Sequence, residues 1–337
     1  MKKDKLTKLP QTAMFVAVIL LMATAFVISI CIGQFSISLD EIWLILTGRE
    51  VSDMIRKVFM NLRFPRTCMA MLAGIGLGTS GYIYQTIFKN PLASPDIVGV
   101  APGANLGAAI AIVMLGGKTL SIAGGAFFGG IIVVVLVMAI VRISPTNTTV
   151  TYVLAGIIMS HISKAFIMVL KFFSDPTNEL AAIEFWTMGS LANVTATKTL
   201  AIFPFFIVSL IGLILLRRQI DMMALNEDEC RMLGVDVSRV RTIILILSTL
   251  LIASIISVTG LISFVGLIAP HVARMMLKKT GFATTVMSAL VGAVILLLSD
   301  TLARSIYSAE IPISILTTFI GVPILVYFML KQKEILS

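Results

Sequence analysis

The chain has 337 residues, of which 58% are hydrophobic and 13% are charged, and its formal net charge is +9. Soluble domains carry about 25% charged residues, so this composition excludes an ordinary soluble fold and predicts an all-α, polytopic membrane protein with a single transmembrane domain over residues 1–337. The 26 Lys and Arg residues lie singly or in pairs between apolar runs and form no basic face, which argues against a nucleic-acid partner.

The first apolar run follows the basic segment MKKDKLTKLP. It is about 20 residues long and has no small-residue cleavage site, whereas the apolar core of a signal peptide has about 7–15 residues. We therefore expect an uncleaved first span. About ten spans are predicted in all, at residues 13–32, 62–88, 97–115, 119–141, 149–172, 197–216, 241–259, 261–277, 283–303 and 312–330.

The distribution of basic residues predicts the topology. With ten spans both termini lie on the same side, and 16 of the 26 Lys and Arg residues fall on that side. Short cytoplasmic loops are enriched in Lys and Arg, so we predict that the N- and C-termini are cytoplasmic. The longest predicted cytoplasmic loop is then 217–241.

No residue pattern supplies an energy source or a reactive centre. Residues 117–119 (GKT) resemble the end of a phosphate loop, but Ile112 stands where the first glycine is required. His161 and His271 are far apart in sequence and have no partner at metal-ligand spacing. We predict no catalytic residue, metal site or cofactor in this chain, which is therefore not an enzyme. An ion-coupled carrier that works alone remains the alternative, although few ionisable residues are placed near the bilayer midplane for it.

The loop 217–241 carries a pattern that predicts a short helix outside the membrane. Asn226 can cap its N-terminus, acidic residues in its first turn suit the helix dipole, and Gly234 can supply the left-handed residue that ends it. Such a helix would offer a docking surface to an energy-supplying subunit. A helix lying on lipid is the alternative, and three consecutive acids argue against it. The predicted docking helix comprises Asn226, Glu227, Asp228, Glu229, Arg231, Leu233 and Gly234.

Five stretches of the sequence carry a resemblance to a known family over residues 40–330. The chain resembles the FecCD-type, BtuC-like permease subunits of type II ABC importers, which are bacterial importers for iron-siderophores, haem and cobalamin. The stretches are NLRFPRTCMAMLAGIGLGTSGYIYQTIFKNPLASPDIVGVAPGA (61–104), ALNEDECRMLGVDVSRVR (224–241), GLISFVGLIAPHVAR (260–274), LVGAVILLLSDTLAR (290–304) and EIPISILTTFIGVPIL (310–325).

This resemblance implies a multi-pass subunit of the bacterial cytoplasmic membrane. It would pair with a second permease subunit, as a homodimer or a heterodimer, with the cargo path at their interface. Two ATPase subunits would bind ATP on the cytoplasmic side and drive the docking helix as a coupling helix, and a solute-binding protein would dock on the opposite side. A ferric siderophore is the expected cargo, and haem and cobalamin remain open.

The resemblance also assigns roles to individual residues. It implies that Arg63, Arg66 and Arg304 receive acidic residues of the binding protein, since outward-facing arginines can bind carboxylates bidentately. The alternative is that they reach lipid headgroups, with a local pair between Arg304 and Asp300 one helical turn away.

Eight further residues are expected to form scaffold near the path or the gate. They are Asn90, Pro91, Gly99, Gly103, Gly266, Pro270, His271 and Arg274. The last two, His271 and Arg274, would brace the ATPase-facing end or the inner gate, with structural hydrogen bonding as the alternative. Gly266 and Pro270 are expected to interrupt the eighth span. Ser314 departs from the family, in which glycine is common at this position, and a slight change of packing beside the path is expected there.

Overall fold

The computed structural model describes residues 10–145, 148–307 and 309–336. This part of the chain folds into α-helices, with a π-helical turn at Phe59–Arg63, a 3₁₀ turn at Pro95–Val98 and no β-strand. The helices are α1 (Gln11–Cys31), α2 (Leu39–Leu46), α3 (Asp53–Val58), α4 (Phe64–Ile87), α5 (Val100–Met114), α6 (Thr119–Ile143), α7 (Thr149–Phe173), α8 (Glu179–Thr187), α9 (Ala196–Leu215), α10 (Arg217–Met222), α11 (Glu227–Met232), α12 (Val237–Thr259), α13 (Val265–Leu277), α14 (Phe282–Ala303) and α15 (Ile313–Leu336).

Each of the ten predicted spans corresponds to one helix, which confirms the fold class. Six of these helices, α1, α6, α7, α9, α12 and α14, are long and apolar enough to cross a membrane, and α5, α13 and α15 contain shorter apolar helices. Helix α4 has 24 residues and is rich in Gly, Ser and Thr. Most of its residues are buried, so it is the central helix of the bundle and has little surface for lipid.

Glycines set how closely the helices cross. An added Cβ at Gly74 of α4 would lie 2.4 Å from the carbonyl oxygen of Gly292 in α14, and one at Gly107 of α5 would lie 1.9 Å from that of Gly125 in α6. Backbones therefore touch directly at both crossings, as expected for small residues spaced four apart on one helix face.

The eighth predicted span is only partly helical. Gly260 ends α12 with φ 66°, and residues 261–264 run irregularly before α13 begins at Val265. The break thus precedes Gly266 and Pro270, which lie inside α13. Pro270 has no N–H to donate to the carbonyl of Gly266, and this carbonyl faces Gly81, where a Cβ would lie 1.8 Å from the Gly266 oxygen.

The bundle has two ends, which we name by their residues. The arginine end contains Arg63, Arg66 and Arg304, and the loop end contains residues 217–241. At the loop end the Tyr82 hydroxyl of α4 accepts a hydrogen bond from the Gly281 N–H (2.7 Å), which ties α4 to the start of α14. Lys2, Lys3, Lys5 and Lys8 and the side chains of Lys331 and Lys333, which entered the topology prediction, lie outside the described residues.

Candidate functional site

Two of the three arginines at the arginine end, Arg66 and Arg304, converge on one buried aspartate, Asp300. Nε and Nη2 of Arg66 both donate to Oδ1 of Asp300, at 2.9 and 2.8 Å, and Nη1 donates to Oε1 of Glu310 at 2.7 Å. Nε of Arg304 lies 3.4 Å from Oδ2 of Asp300. The Asp300 side chain is completely buried, whereas that of Glu310 is 30% exposed. Arg66 is thus held by one inaccessible and one accessible carboxylate.

The other donors of this cluster bind the end of α1 and the segment after it. Nη2 of Arg304 donates to Oγ of Ser29 at 2.8 Å and to the Ser29 carbonyl. Arg63 donates to the carbonyl oxygens of Ile32 (2.5 Å) and Phe35 (2.7 Å). A side chain at Gly33 would collide with the Arg63 guanidinium, 1.9 Å from its Nη1. Arg63 therefore caps the end of α1 and has no carboxylate partner among the described residues.

A cavity of about 270 Å³ opens beside this cluster and is lined by all three arginines and Glu310. The relative exposures of Arg63, Arg66 and Arg304 are 7%, 8% and 4%, so they are buried, not extended toward solvent. The local pair between Arg304 and Asp300 is present, and each arginine has partners within the chain. Docking of a binding protein on these residues stays a prediction.

At the loop end, α11 forms close to where the sequence predicts it. The backbone N–H of Asn226 donates to Oε2 of Glu229 (3.0 Å), as in a capping box. Gly234 has φ 78°, and the Val235 N–H then bonds to the carbonyl of Cys230 (3.0 Å). Cys230 is buried and its Sγ donates to the Met222 carbonyl (3.0 Å), which ties α11 to α10.

The three acids of α11 have different environments. Glu227 pairs with Arg241 of α12, whose guanidinium also lies over the ring of Tyr152 in α7, 5.7 Å from its centroid. Glu229 is used in the cap, and Asp228 is exposed. The pair of Glu227 and Arg241 therefore connects α11 directly to α12 and places α7 beside that connection.

The outer surface of the α11 region is apolar as well as acidic. Met232 is 80% exposed and Leu233 is 59% exposed, and Leu225 before the helix is also exposed. Arg231 and Gly234 are exposed next to them, whereas Met223 and Cys230 point into the chain. Exposed apolar side chains rimmed by charges are typical of a protein-interaction surface.

The predicted scaffold residues between the second and third spans form a turn and a tight crossing. Oδ1 of Asn90 accepts from the Leu92 N–H (2.9 Å), and Pro91 follows in an exposed turn. Gly99 precedes α5 with φ 85°, in the left-handed region that favours glycine. A Cβ at Gly103 would lie 2.6 Å from the Gly129 carbonyl oxygen in α6. These positions shape the backbone and expose few polar groups, and their place near the cargo path stays a prediction.

His271 and Arg274 are both held by hydrogen bonds. Nδ1 of His271 donates to the Leu267 carbonyl (2.7 Å), and the same carbonyl accepts from Nε2 of Gln85 (3.2 Å). Oε1 of Gln85 accepts from Nη2 of Arg274, whose guanidinium lies 6.0 Å from the centroid of the Tyr82 ring. Gln85 therefore joins α4 to α13. Both His271 and Arg274 have structural hydrogen bonds, and their role at an inner gate stays a prediction.

Ser314 has a defined role in this structure. Its Oγ donates to the Leu261 carbonyl (2.9 Å) and accepts from the Ser263 N–H (3.2 Å). It thereby satisfies backbone groups of the irregular 261–264 segment, which a glycine would leave without these bonds.

Sequence reasoning did not single out Ser29, Gln85, Tyr82 or Glu310. Glu310 begins the EIPISILTTF stretch six residues after Arg304, and an acid so close to an arginine at the end of a span is a signal that could have identified it. Ser29, Gln85 and Tyr82 lie within apolar helices and carry no local signal. Among the described residues, no group of three or more His, Cys, Asp or Glu side chains is arranged to hold a metal ion.

Comparisons with known proteins agree with the geometry. The model of the FecCD transport family matches residues 20–331. The molybdate import system permease protein MolB of Haemophilus influenzae is 35% identical over 95% of this chain and 96% of its own length. The hemin transport system permease protein HmuU of Yersinia pestis is 32% identical over 90% of each chain. A solved inward-facing structure of a metal-chelate type ABC transporter superposes with a TM-score of 0.86 and 32% identity, covering 95% of this chain and 99% of that one.

Proposed function

Since the chain belongs to the FecCD transport family and is the permease of an ABC importer, we propose that its cargo is a ferric siderophore. The similarity to a metal-chelate type transporter over 95% of the chain carries this proposal. The relatives named for molybdate and hemin import differ from each other in cargo, so membership of the family leaves the cargo open. A bulky iron chelate is the class that the metal-chelate neighbour favours.

We propose that the loop end is cytoplasmic and binds the ATPase subunits. The excess of Lys and Arg on this side supports the orientation, because cytoplasmic loops carry such an excess. The exposed Met232 and Leu233 supply an apolar contact surface, and the Glu227–Arg241 pair joins that surface to α12. A movement of the ATPase against α11 would thus be transmitted to the membrane-spanning helix α12 through the Glu227–Arg241 ion pair.

We propose that the arginine end receives the solute-binding protein at the cavity beside the buried cluster. Arg63 bonds only to carbonyl oxygens within the described residues, and Glu310 is the accessible partner of Arg66. An acidic side chain entering the cavity could therefore bind Arg63 and compete with Glu310 for Arg66. Asp300 would continue to hold Arg66 while that exchange occurs.

Uptake by the assembled transporter tests this function. The permease, its ATPases and its binding protein are reconstituted in vesicles, and uptake of a radiolabelled ferric siderophore, haemin, cobalamin and molybdate is compared with and without ATP. We expect ATP-dependent uptake of the siderophore. Uptake of another compound in its place would overturn the cargo assignment alone. Uptake by the isolated chain driven by an ion gradient would instead establish a secondary carrier.

A surface variant tests the coupling role of the loop end. The double substitution Met232→Glu and Leu233→Gln removes exposed apolar contacts without touching the core, so the permease should fold normally. We expect uptake to fall at least about tenfold, equivalent to about 1.4 kcal/mol of lost interaction with the ATPase. Leu46→Gln, a 68% exposed position on α2 at the arginine end, is the matched control. Normal uptake by the double variant would show that this surface does not bind the ATPase.

A further inference from the structure

Helix α7 carries a histidine and a lysine, His161 and Lys164, at a depth where side chains that face lipid are almost always apolar. Two contacts mark the ends of this helix. Tyr152 lies beside Arg241 at the loop end, and Lys171 pairs with Glu184 at 2.6 Å near the arginine end. These two positions are nineteen residues apart, which corresponds to a rise of about 28 Å, close to the thickness of the hydrocarbon core. His161 falls at the midpoint of this length, and Lys164 follows about 4.5 Å further along.

Both side chains point out of the bundle. His161 and Lys164 are exposed, and neither has a hydrogen-bond or ion-pair partner within the described part of the chain. Lys164 precedes Lys171 by about 10 Å along the helix axis, too far for its four-carbon stem to reach that boundary. A charged side chain near the bilayer midplane almost always faces the protein interior or water, because exposure to lipid tails costs several kcal/mol.

The exposed surface of α7 has two flanks of different character. Between residues 157 and 173, the basic flank consists of the five residues within an arc of about 80°, at 3.6 residues per turn: Ile157, His161, Lys164, Met168 and Lys171. The apolar flank consists of Ile158, Ile162, Ala165, Phe166, Val169 and Phe173. The apolar flank suits lipid, so the basic flank must face something else.

A second copy of this chain offers no acid to neutralise the basic flank at that depth. The seventeen Asp and Glu residues of the sequence include none in the central turns of the ten long helices. Asp300 lies one turn from the end of α14, Glu334 lies at the end of α15, and Asp96 lies in the 3₁₀ turn before α5. The charge on Lys164 is therefore available to a ligand that carries negative charge.

We propose that the basic flank of α7 lines the water-filled path through the assembled permease, and that His161 and Lys164 bind an anionic cargo there. This inference rests on the proposed function, because it requires that the chain forms a path for a solute. It narrows the cargo to chelates or oxyanions of net negative charge. Lys171, neutralised by Glu184, marks the end of the flank nearest the arginine end.

Charged thiol reagents test both parts of the proposal in the intact transporter. Cys31, Cys68 and Cys230 are first replaced, and His161→Cys is then introduced with Lys164 retained. We expect labelling of position 161 by water-soluble methanethiosulfonates. We also expect the anionic reagent to react about tenfold faster than the cationic one, relative to a free thiol, because Lys164 lies one helical turn away.

Two comparisons make the test decisive. Lys164→Gln added to His161→Cys should return the anionic-to-cationic ratio to that of the free thiol, and Phe166→Cys and Val169→Cys on the apolar flank should resist both reagents. Absence of labelling at position 161 in a transporter that retains ATPase activity would overturn the path assignment, and a ratio unaffected by Lys164→Gln would overturn anion binding. Failure of the proposed function would appear separately, as absent ATP-driven uptake by the unmodified transporter.

Discussion

The arginine end and the α11 region use similar charged residues in opposite ways. At the arginine end, Arg66 and Arg304 share the fully buried Asp300, and these contacts join α4, α14 and the end of α1. In α11, charged side chains lie at the surface, and only Glu227 is committed to a partner in another helix, Arg241. A charge that is buried and paired mainly holds the fold, whereas an exposed one is free to meet another subunit.

This difference teaches that the position of a charge at the end of a span does not reveal its role. Both regions present several charges within a few residues of a helix end. Burial separates them, and burial is decided by residues far away in sequence. Variants that remove one acid at a time from each environment can therefore sharpen or break the distinction.

The largest effect is expected for Asp300→Asn. The variant leaves Arg66 and Arg304 with one carboxylate fewer in a buried site, and breaking such a pair costs about 3–5 kcal/mol. We expect a marked fall in the thermal unfolding temperature of the purified permease in detergent. Asp53→Asn, at the exposed start of α3, is the control and should leave that temperature unchanged. Equal unfolding temperatures for the two variants would mean that the buried cluster does not hold the fold.

A smaller, local effect is expected for Glu227→Gln. Its partner Arg241 has a side chain only 4% exposed, but Glu227 itself is 32% exposed, so the loss should be about 1–2 kcal/mol. We expect faster amide hydrogen exchange in residues 217–236 without a change in the global unfolding temperature. Asp228→Asn removes a neighbouring exposed charge and should not alter exchange. Similar exchange in both variants would show that the ion pair does not fix α11.

The smallest effect is expected for Asp221→Asn in α10. Partial burial raises the pKa of the Asp221 carboxyl above its usual range, partly opposed by the hydrogen bond from the Phe282 N–H. The folded chain then keeps this proton to higher pH than the unfolded chain, so the contribution of Asp221 to stability falls as pH rises above about 3.9.

Asparagine removes that pH-dependent loss and can still accept the Phe282 hydrogen bond. We expect the variant to be as stable as the parent protein at acidic pH. At neutral pH it should be slightly more stable, by no more than about 0.5 kcal/mol. Unfolding temperatures measured across this pH range check the sign. A variant less stable than the parent at neutral pH would contradict a raised pKa.

The sequence predicts the helices better than it predicts the contacts between them. Apolar length locates all ten long helices, and a cap followed by acids and Gly234 locates α11. Helix α13 begins four residues after the predicted start of the eighth span, because residues 261–264 are as apolar as the helix that follows and hydropathy does not show that Gly260 turns the backbone. The pairing of Arg66 with Asp300 joins residues 234 positions apart, which no local pattern contains.

The role of His161 and Lys164 in α7 likewise depends on contacts between helices that are far apart in sequence. In the sequence, Lys164 is a single basic residue inside the predicted span 149–172, and His161 is a histidine with no partner at metal-ligand spacing. Their significance depends on which flank of the helix is left uncovered, and that is known only after α5, α6 and α8 have packed against the other side. Helical spacing alone places the two residues together but does not show that they face outward.

The crossings of α4 with α14 and of α5 with α6 have a mechanical consequence. At Gly74 and Gly107 the helix backbones touch without an intervening layer of side chains. Side chains can change rotamer and absorb a small displacement, whereas backbone pressed against backbone has almost no compliance. Each pair should therefore move as a single stiff lever, so that a displacement applied to one helix is delivered to the opposite face of the bundle with little loss of amplitude.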